Sequence, residues 1–307
     1  MAGRVLVTLL LLFWLFHRID RTAFLQALRH LQVGWYALAV AAFLGTMVLS
    51  ALRWYVLLKP LAPLPFWPLL RAYLVGLFMG NYLPSGGIDV VRGVYLFPYA
   101  PRRAPVLASV VVDRMIGFLA IITVILLGLP WGVAEVRPYQ TWLYLFSTAV
   151  LVAAVVPLLP GVFRLFQQVL PRIPFGDRLF RLYESYYLYR TVPGALVQAY
   201  LLSFLILLGF GLTADLTARG LGVPLPLLET VFFVAIINVL AMIPVTISGF
   251  GLREGGFVAF FGPLVGEERA LALSLLFFGA SLLVSLIGAL LLLTSGVPRS
   301  GKGSSMP

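Results

Sequence analysis

The fold class that the sequence predicts is an all-α polytopic integral membrane protein, with about six to eight membrane helices and two re-entrant broken helices in inverted repeats. Three observations lead there. Of 307 residues, 61% are hydrophobic and 11% charged, where a soluble domain carries about 25% charged residues. Charge-free runs long enough to cross a bilayer recur along the chain. The basic residues gather between those runs, as the cytoplasmic loops of a membrane protein require.

The net charge of +11 would suggest nucleic acid in a soluble domain. Clustered between apolar runs it indicates sidedness, and no nucleic-acid partner is expected. The chain has no cysteine, which excludes disulfides, thiolate catalysis and cysteine-ligated metals.

Taken in order, Val5–His17 is a short apolar first span; a signal peptide is the alternative, but no small-x-small cleavage site follows. Leu31–Leu52, Met115–Ala134, Pro138–Phe163, Thr191–Ala214, Thr230–Leu252 and Ala270–Pro298 contain no Asp, Glu, Lys or Arg. Trp35, Trp54, Trp131 and Trp142 stand near the ends of these runs, where interfacial aromatics belong. Phe66–Leu83 is apolar apart from Arg71 and breaks at Pro84-Ser85-Gly86-Gly87. Leu227–Ile243 breaks at Pro244 and Gly249-Phe250-Gly251. Proline removes a helical hydrogen bond and glycine frees the backbone, so both segments read as broken helices. Broken backbone at membrane depth persists only where protein or a water-filled cavity satisfies it.

If both broken segments re-enter and the N-terminus is cytoplasmic, the cytoplasmic loops hold Arg4, Lys59, Arg102, Arg103, Arg164, Arg172, Arg178, Arg181, Arg190, Arg299 and Lys302. The outer loops then hold Arg18, Arg21, Arg29, Arg137, Arg219 and Arg269. This bias places both termini in the cytoplasm, in a cell inner (plasma) membrane. Between the halves, Phe175, Leu179, Leu182, Tyr183 and Tyr186 recur at helical spacing opposite Arg178, Arg181 and Glu184. That pattern predicts an amphipathic helix on the cytoplasmic surface, anchoring and linking the halves, with partner docking as the alternative.

Pro63-Leu64-Pro65 recurs as Pro224-Leu225-Pro226 at an offset of 161, which Arg92 and Arg253 share. Each half reads as span, turn, broken helix, Arg, span, and the count of crossings gives the halves opposite orientation, the plan of secondary transporters. One membrane domain over 1–298 is expected, with inverted repeats over 31–134 and 191–295, a link over 135–190 and a disordered tail over 299–307.

An ionised group at the bilayer centre costs roughly 2.5–3.5 kcal/mol even on an insertion scale. The pairs Asp89 with Arg92, Asp113 with Arg114, and Arg253 with Glu254 are therefore the candidate substrate-binding residues. Asp89 and Arg92 share a helical face. Neighbours such as Asp113 and Arg114 diverge by about 100°, so each member of such a pair needs another partner, which favours a network between segments. Arg53 and Arg71 read either as snorkelling interfacial charges or as added buried charge. Asn81 and Asn238, the only two asparagines, either bond the freed backbone or contact a substrate; Asn81 joins the candidate site.

No enzyme is expected. His17 and His30 have no carboxylate pair near them in sequence. A Mg²⁺ site from Asp89, Asp113 and Glu254 would compete with the adjacent arginines. Gly249-Phe250-Gly251 follows no strand, so it is not a dinucleotide site. Neither a cofactor nor a metal is expected.

Three motifs carry a resemblance: Asn81-Tyr82-Leu83-Pro84 with Gly86, Gly87, Asp89 and Arg92; Asp113-Arg114 with Gly117; and Pro244 with Gly249-Phe250-Gly251-Leu252-Arg253-Glu254. With them the chain resembles, over nearly its whole length, the flippase-like family named after the transmembrane region of lysylphosphatidylglycerol synthases. Asp113 stands where the family usually has Glu, and Ile88 interrupts its Gly-Gly-Asp motif. The resemblance implies a stand-alone membrane domain without the synthetase domain. It also implies a membrane lipid as substrate, moved between leaflets, and a separate lipid-modifying enzyme as a possible partner. Arginine offers fixed charge and paired donors matched to phosphate. Arg92, Arg114 and Arg253 are thus expected to recognise an anionic or aminoacylated headgroup, with Asp89, Asp113 and Glu254 orienting them or contacting an amine. The alternatives are an ion-coupled transporter of a small anionic solute and a non-transporting assembly factor.

Overall fold

The computed structural model describes residues 20–82, 87–100, 102–128, 140–169, 176–242, 246 and 249–295. The expected first span Val5–His17, the residues Pro84, Ser85, Gly86 and Pro244, and the tail 299–307 lie outside them. Regular structure among the described residues is helical throughout, with no strand.

Helix α1 (Arg21–Arg29) starts where Asp20 Oδ1 accepts from Thr22 N at 2.8 Å and Ala23 N at 3.4 Å. The Thr22 hydroxyl and these amides hold the Asp20 carboxyl below its usual range. Four long helices follow in the chain: α2 (Val33–Leu58), α5 (Arg103–Gly128), α9 (Pro193–Gly220) and α12 (Glu267–Ser295). Each contains an 18-residue stretch with a mean hydropathy of 1.8, 2.4, 2.1 and 2.5 in turn. Helices of 26 to 29 residues reach about 39–44 Å, past a hydrocarbon core of about 30 Å. Leu201, Leu205, Leu286 and Leu293 point outward from them, a surface that is stable only against lipid. The protein is a multi-pass membrane protein.

The two broken segments fold back on themselves. Helix α3 (Phe66–Tyr82) and α4 (Gly87–Tyr95) pack antiparallel, with Gly76 against Arg92 and Gly80 against Ile88. A Cβ on Gly80 would overlap the Ile88 side chain, so glycine lets the two backbones touch. In the second hairpin, α10 (Leu227–Met242) and α11 (Leu252–Val265) oppose Ile237 to Gly256 and Ala241 to Gly249. Gly249 (φ 76°) and Gly251 (φ 87°) adopt the left-handed backbone that turns this chain. At 17 and 16 residues, α3 and α10 reach only about 24–26 Å, short of a crossing.

Long helix, hairpin, long helix therefore occurs twice, and the copies run in opposite directions. Helices α2 and α9 are antiparallel: Gln32 N donates to Gly220 O at 2.8 Å, Gly209 lies against Thr46, and Arg53 Nη1 donates to Ser203 Oγ at 3.0 Å. Both feet of the first hairpin pack near the C-terminal end of α2, with Leu58, Leu69 and Leu96 in one core. Both feet of the second pack beyond the end of α9, with Leu225 and Phe261 in another. The hairpins thus enter from opposite ends of the α2–α9 pair. Each leans on the last long helix of the other half, Leu74 on Gly288 of α12 and Phe232 on Gly128 of α5.

The reading of Pro138–Phe163 as one span is corrected. Helix α6 (Gln140–Val155) ends in a 3₁₀ turn at Val156–Leu158, and α7 (Pro160–Val169) begins anew. Pro157 cannot donate within a helix, and Pro160 suits a helix start. The charge-free run is therefore divided between a helix of 16 residues, a 3₁₀ turn and a second helix. The expected surface helix is present as α8 (Gly176–Tyr187), but its aromatic side chains are half-buried against protein. Tyr187 stacks on Phe163 at 4.0 Å, and just beyond the helix Tyr189 OH donates to Leu57 O at 2.9 Å. Tyrosine has an apolar body and a polar tip, so it suits this half-dry junction as well as a lipid surface.

Gly288→Ala should lower thermal stability by about 1–3 kcal/mol, the usual cost of overpacking. Its Cβ would overlap the Leu74 carbonyl oxygen and sit 2.6 Å from the carbonyl carbon. Gly45→Ala, with open space around it, should melt as the wild type does. The cysteine-free chain also permits a direct test of orientation. Cysteines placed singly at exposed Pro63 and Pro224 should react with an impermeant maleimide from opposite sides of a vesicle. Labelling from one side would contradict the antiparallel halves.

Candidate functional site

The charged residues meet where the two hairpins converge between the long helices. Asp113, on α5, is 1% exposed and holds two arginines. Its Oδ1 accepts from Arg53 Nε of α2 at 2.7 Å, and its Oδ2 accepts from Arg92 Nη2 of α4 at 2.8 Å. Arg92 Nη2 also lies 2.8 Å from Asp89 Oδ1, out of line for a hydrogen bond. Asp89 Oδ2 accepts from Arg114 Nε. Arg53, Asp113, Arg92, Asp89 and Arg114 form an alternating chain of charge across three helices. Each carboxylate lies against two guanidiniums, which is how ionised groups persist away from water.

Arg92 is also 1% exposed, with its guanidinium 4.9 Å from the Trp54 ring and 5.0 Å from the Tyr73 ring. Trp54 is itself pinned by Nε1 donating to Ser109 Oγ at 2.9 Å. Aromatic faces favour a cation where no water reaches it.

In the second hairpin, Arg253 Nη2 lies 2.5 Å and Nε 3.1 Å from Glu254 Oε1. The expectation that adjacent pairs look elsewhere for partners holds for Asp113 and Arg114 but is corrected here. Glu254 is the third residue of α11 and reaches back to accept from Gly251 N at 2.6 Å, the carboxylate arm of a capping box. That turn lays the carboxylate beside the Arg253 side chain. Arg253 then stacks 4.2 Å from Phe278 and 5.1 Å from Phe250.

Two adjoining cavities, of about 220 and 440 Å³, occupy the space between the hairpins. Arg53, Arg92 and Asp113 line the first, Asn81, Arg253 and Ser281 the second, and Asp89, Arg114 and Asn238 face both. The remaining walls are mostly apolar, chiefly Phe43, Phe118 and Phe210, which face both, with Ser50 and Ser203 in the first. Of the seven residues expected at the site, six line this space. Glu254 is fully buried and holds Arg253.

Arg53 is the member that sequence reasoning left undecided, and its place in the chain corrects the snorkelling alternative. Its signal was present: Thr46, Ser50 and Arg53 form a polar stripe on one face of an otherwise apolar helix. Ser203, which accepts from it, had no comparable mark. Arg71 stands apart, with its guanidinium 5.2 Å from the Trp67 ring and no place in either cavity. Among the described residues no group of three or more His, Asp and Glu gathers as metal ligands. The Asp89 and Asp113 carboxylates are engaged by arginines.

A family model described as the lysylphosphatidylglycerol synthase TM region matches residues 1–288. The chain belongs to this family. No curated protein matches it, and neither does a solved structure. In this lysylphosphatidylglycerol synthase TM region, Asp89, Arg92, Asp113 and Arg114, which carried the resemblance, form four links of the charge chain. Residues of the Gly-Phe-Gly-Leu-Arg-Glu segment form the glycine turn and capped start of α11.

Asp113→Asn removes the carboxylate that two buried guanidiniums share and should cost about 3–5 kcal/mol of stability. Asp89→Asn should cost less, because Asp89 and Arg114 are partly exposed. Thermal melting of the purified variants checks the order, and equal losses would refute the central place given to Asp113.

Proposed function

We propose that this protein moves an anionic or aminoacylated membrane lipid between leaflets, the headgroup passing through the joined cavities while the acyl chains stay in lipid. The observation that carries this reading is the amphipathic lining. Arginines and asparagines stand at the centre, and phenylalanines form much of the remaining wall. A small hydrophilic solute would gain nothing from the phenylalanine walls, whereas a lipid has a polar and an apolar part to match both. Hairpins entering from opposite ends give the headgroup a polar surface from either side, as broken helices do in transporters.

In this reading Arg92, Arg114 and Arg253 are the recognition residues and the protein performs no covalent chemistry. Its proposed setting is the inner (plasma) membrane, with both termini cytoplasmic, which the bias of basic loops supports. A separate lipid-modifying enzyme would supply or consume the lipid.

Arg253→Lys keeps the charge and loses the planar fork. Transport of fluorescent lipid between the leaflets of proteoliposomes should fall by about tenfold, on the order of one lost charge-assisted contact. Melting temperature should fall little. If activity falls only in proportion to folded protein, Arg253 has a structural role and the recognition role fails. Unchanged lipid distribution beside pH-dependent solute uptake would favour an ion-coupled solute transporter instead.

A further inference from the structure

Given that reading, on which the following rests, the groups left unsatisfied in the cavities select among headgroups. A headgroup amine needs a carboxylate with room for it, or an open aromatic face. The carboxylates are already engaged by arginine. Asp113 accepts from Arg53 and Arg92 on separate oxygens. Glu254 accepts from Arg253 on one oxygen and from Gly251 N on the other, out of reach of either cavity. Asp89 has one oxygen, Oδ1, without an aligned donor, but its carboxylate already faces the guanidiniums of Arg92 and Arg114. An ammonium bound there would stand beside two positive charges.

Most of the aromatic faces are similarly taken. Trp54 and Tyr73 lie against Arg92, and Phe250 and Phe278 against Arg253. Phe43, Phe210 and Phe277 instead meet one another, with centroids 5.9 to 6.4 Å apart.

Donors, by contrast, are in surplus. Arg92 Nε and Nη1 and Asn81 Nδ2 are buried without an acceptor. Among the described residues of the site, Arg53, Arg92, Arg114 and Arg253 face Asp89, Asp113 and Glu254, which leaves one positive charge uncompensated. One phosphodiester supplies the missing charge and acceptor oxygens together. A neutral hydroxyl on the same headgroup can donate to Asp89 Oδ1 without adding charge.

We propose that the site takes a monoanionic phosphodiester headgroup bearing hydroxyls, and discriminates against headgroups that carry an amine.

The full chain, reconstituted in vesicles of a choline phospholipid, would be given three probes with the same fluorescent acyl chain. Their headgroups are a glycerol phosphodiester, its lysyl ester and an ethanolamine phosphodiester. Protection from an external quencher reads the transfer between leaflets. The glycerol probe should move about tenfold faster than either amine probe, because like-charge juxtaposition is strongly unfavourable in a water-poor site. Equal or faster movement of the lysyl or ethanolamine probe overturns the charge preference and leaves lipid transport standing. If no probe moves faster than in protein-free vesicles, the lipid reading fails and the preference falls with it. Uptake of labelled glycerol phosphate by the same vesicles, with all lipid probes stationary, would place the phosphate chemistry on a soluble solute and overturn the proposal.

Discussion

Asp113 sits fully buried on a membrane-crossing helix and binds two guanidiniums at once. Much of the first half of the protein is arranged to make that possible. Arg92 reaches Asp113 because α4 lies directly on α3, and α4 can lie there because Gly76 and Gly80 have no side chain to hold it off. Arg53 reaches it from the other side only because α2 and α5 pack closely at Gly117, where a Cβ would lie 3.0 Å from Arg53 Nη1. Small residues here serve electrostatics as much as packing. Each lets a charge come near enough to its counter-charge to offset the loss of water.

The long helices were legible because apolar composition sustained over 20 or more residues has one stable outcome in lipid. The hairpins were legible from proline and glycine, which interrupt the helical hydrogen bonds in any context. Continuity was not legible in 138–163: a charge-free run reports what the solvent is, and says nothing of the 3₁₀ turn at Pro157, where the first helix stops. The half-buried face of α8 was hidden for a related reason, since tyrosines that suit a lipid surface also suit a protein one. At the site, Arg53 was obscured because its partner lies 60 residues away, and sequence distance carries no sign of contact. The Arg253–Glu254 pair was misjudged because helical spacing ignores what happens in a first turn, where a glutamate can curl back onto the backbone.

The two halves share a plan but not an electrostatic design. In the first hairpin, Arg92 lies more than a turn inside α4 and takes its hydrogen-bonded counter-charge from another helix, with Asp89 of its own helix beside it. In the second, Arg253 stands at the start of α11 and carries its counter-charge on the next residue. Displacing α4 would part Arg92 from Asp113, leaving Arg92 with Asp89 of its own helix and Asp113 with Arg53. Displacing α11 would carry Arg253 and Glu254 together, with the ion pair and the capping bond from Gly251 intact.

That difference assigns unequal costs to movement in a pair of otherwise matched elements. Parting a buried ion pair costs several kcal/mol, whereas shifting an intact one past apolar neighbours costs only the contacts exchanged. The rings beside Arg253, Phe250 on its own turn and Phe278 on α12, divide in the same sense. One would travel with it and one would stay. The first hairpin is tied into the scaffold through Asp113, and the second meets the same cavity as a self-neutralised unit.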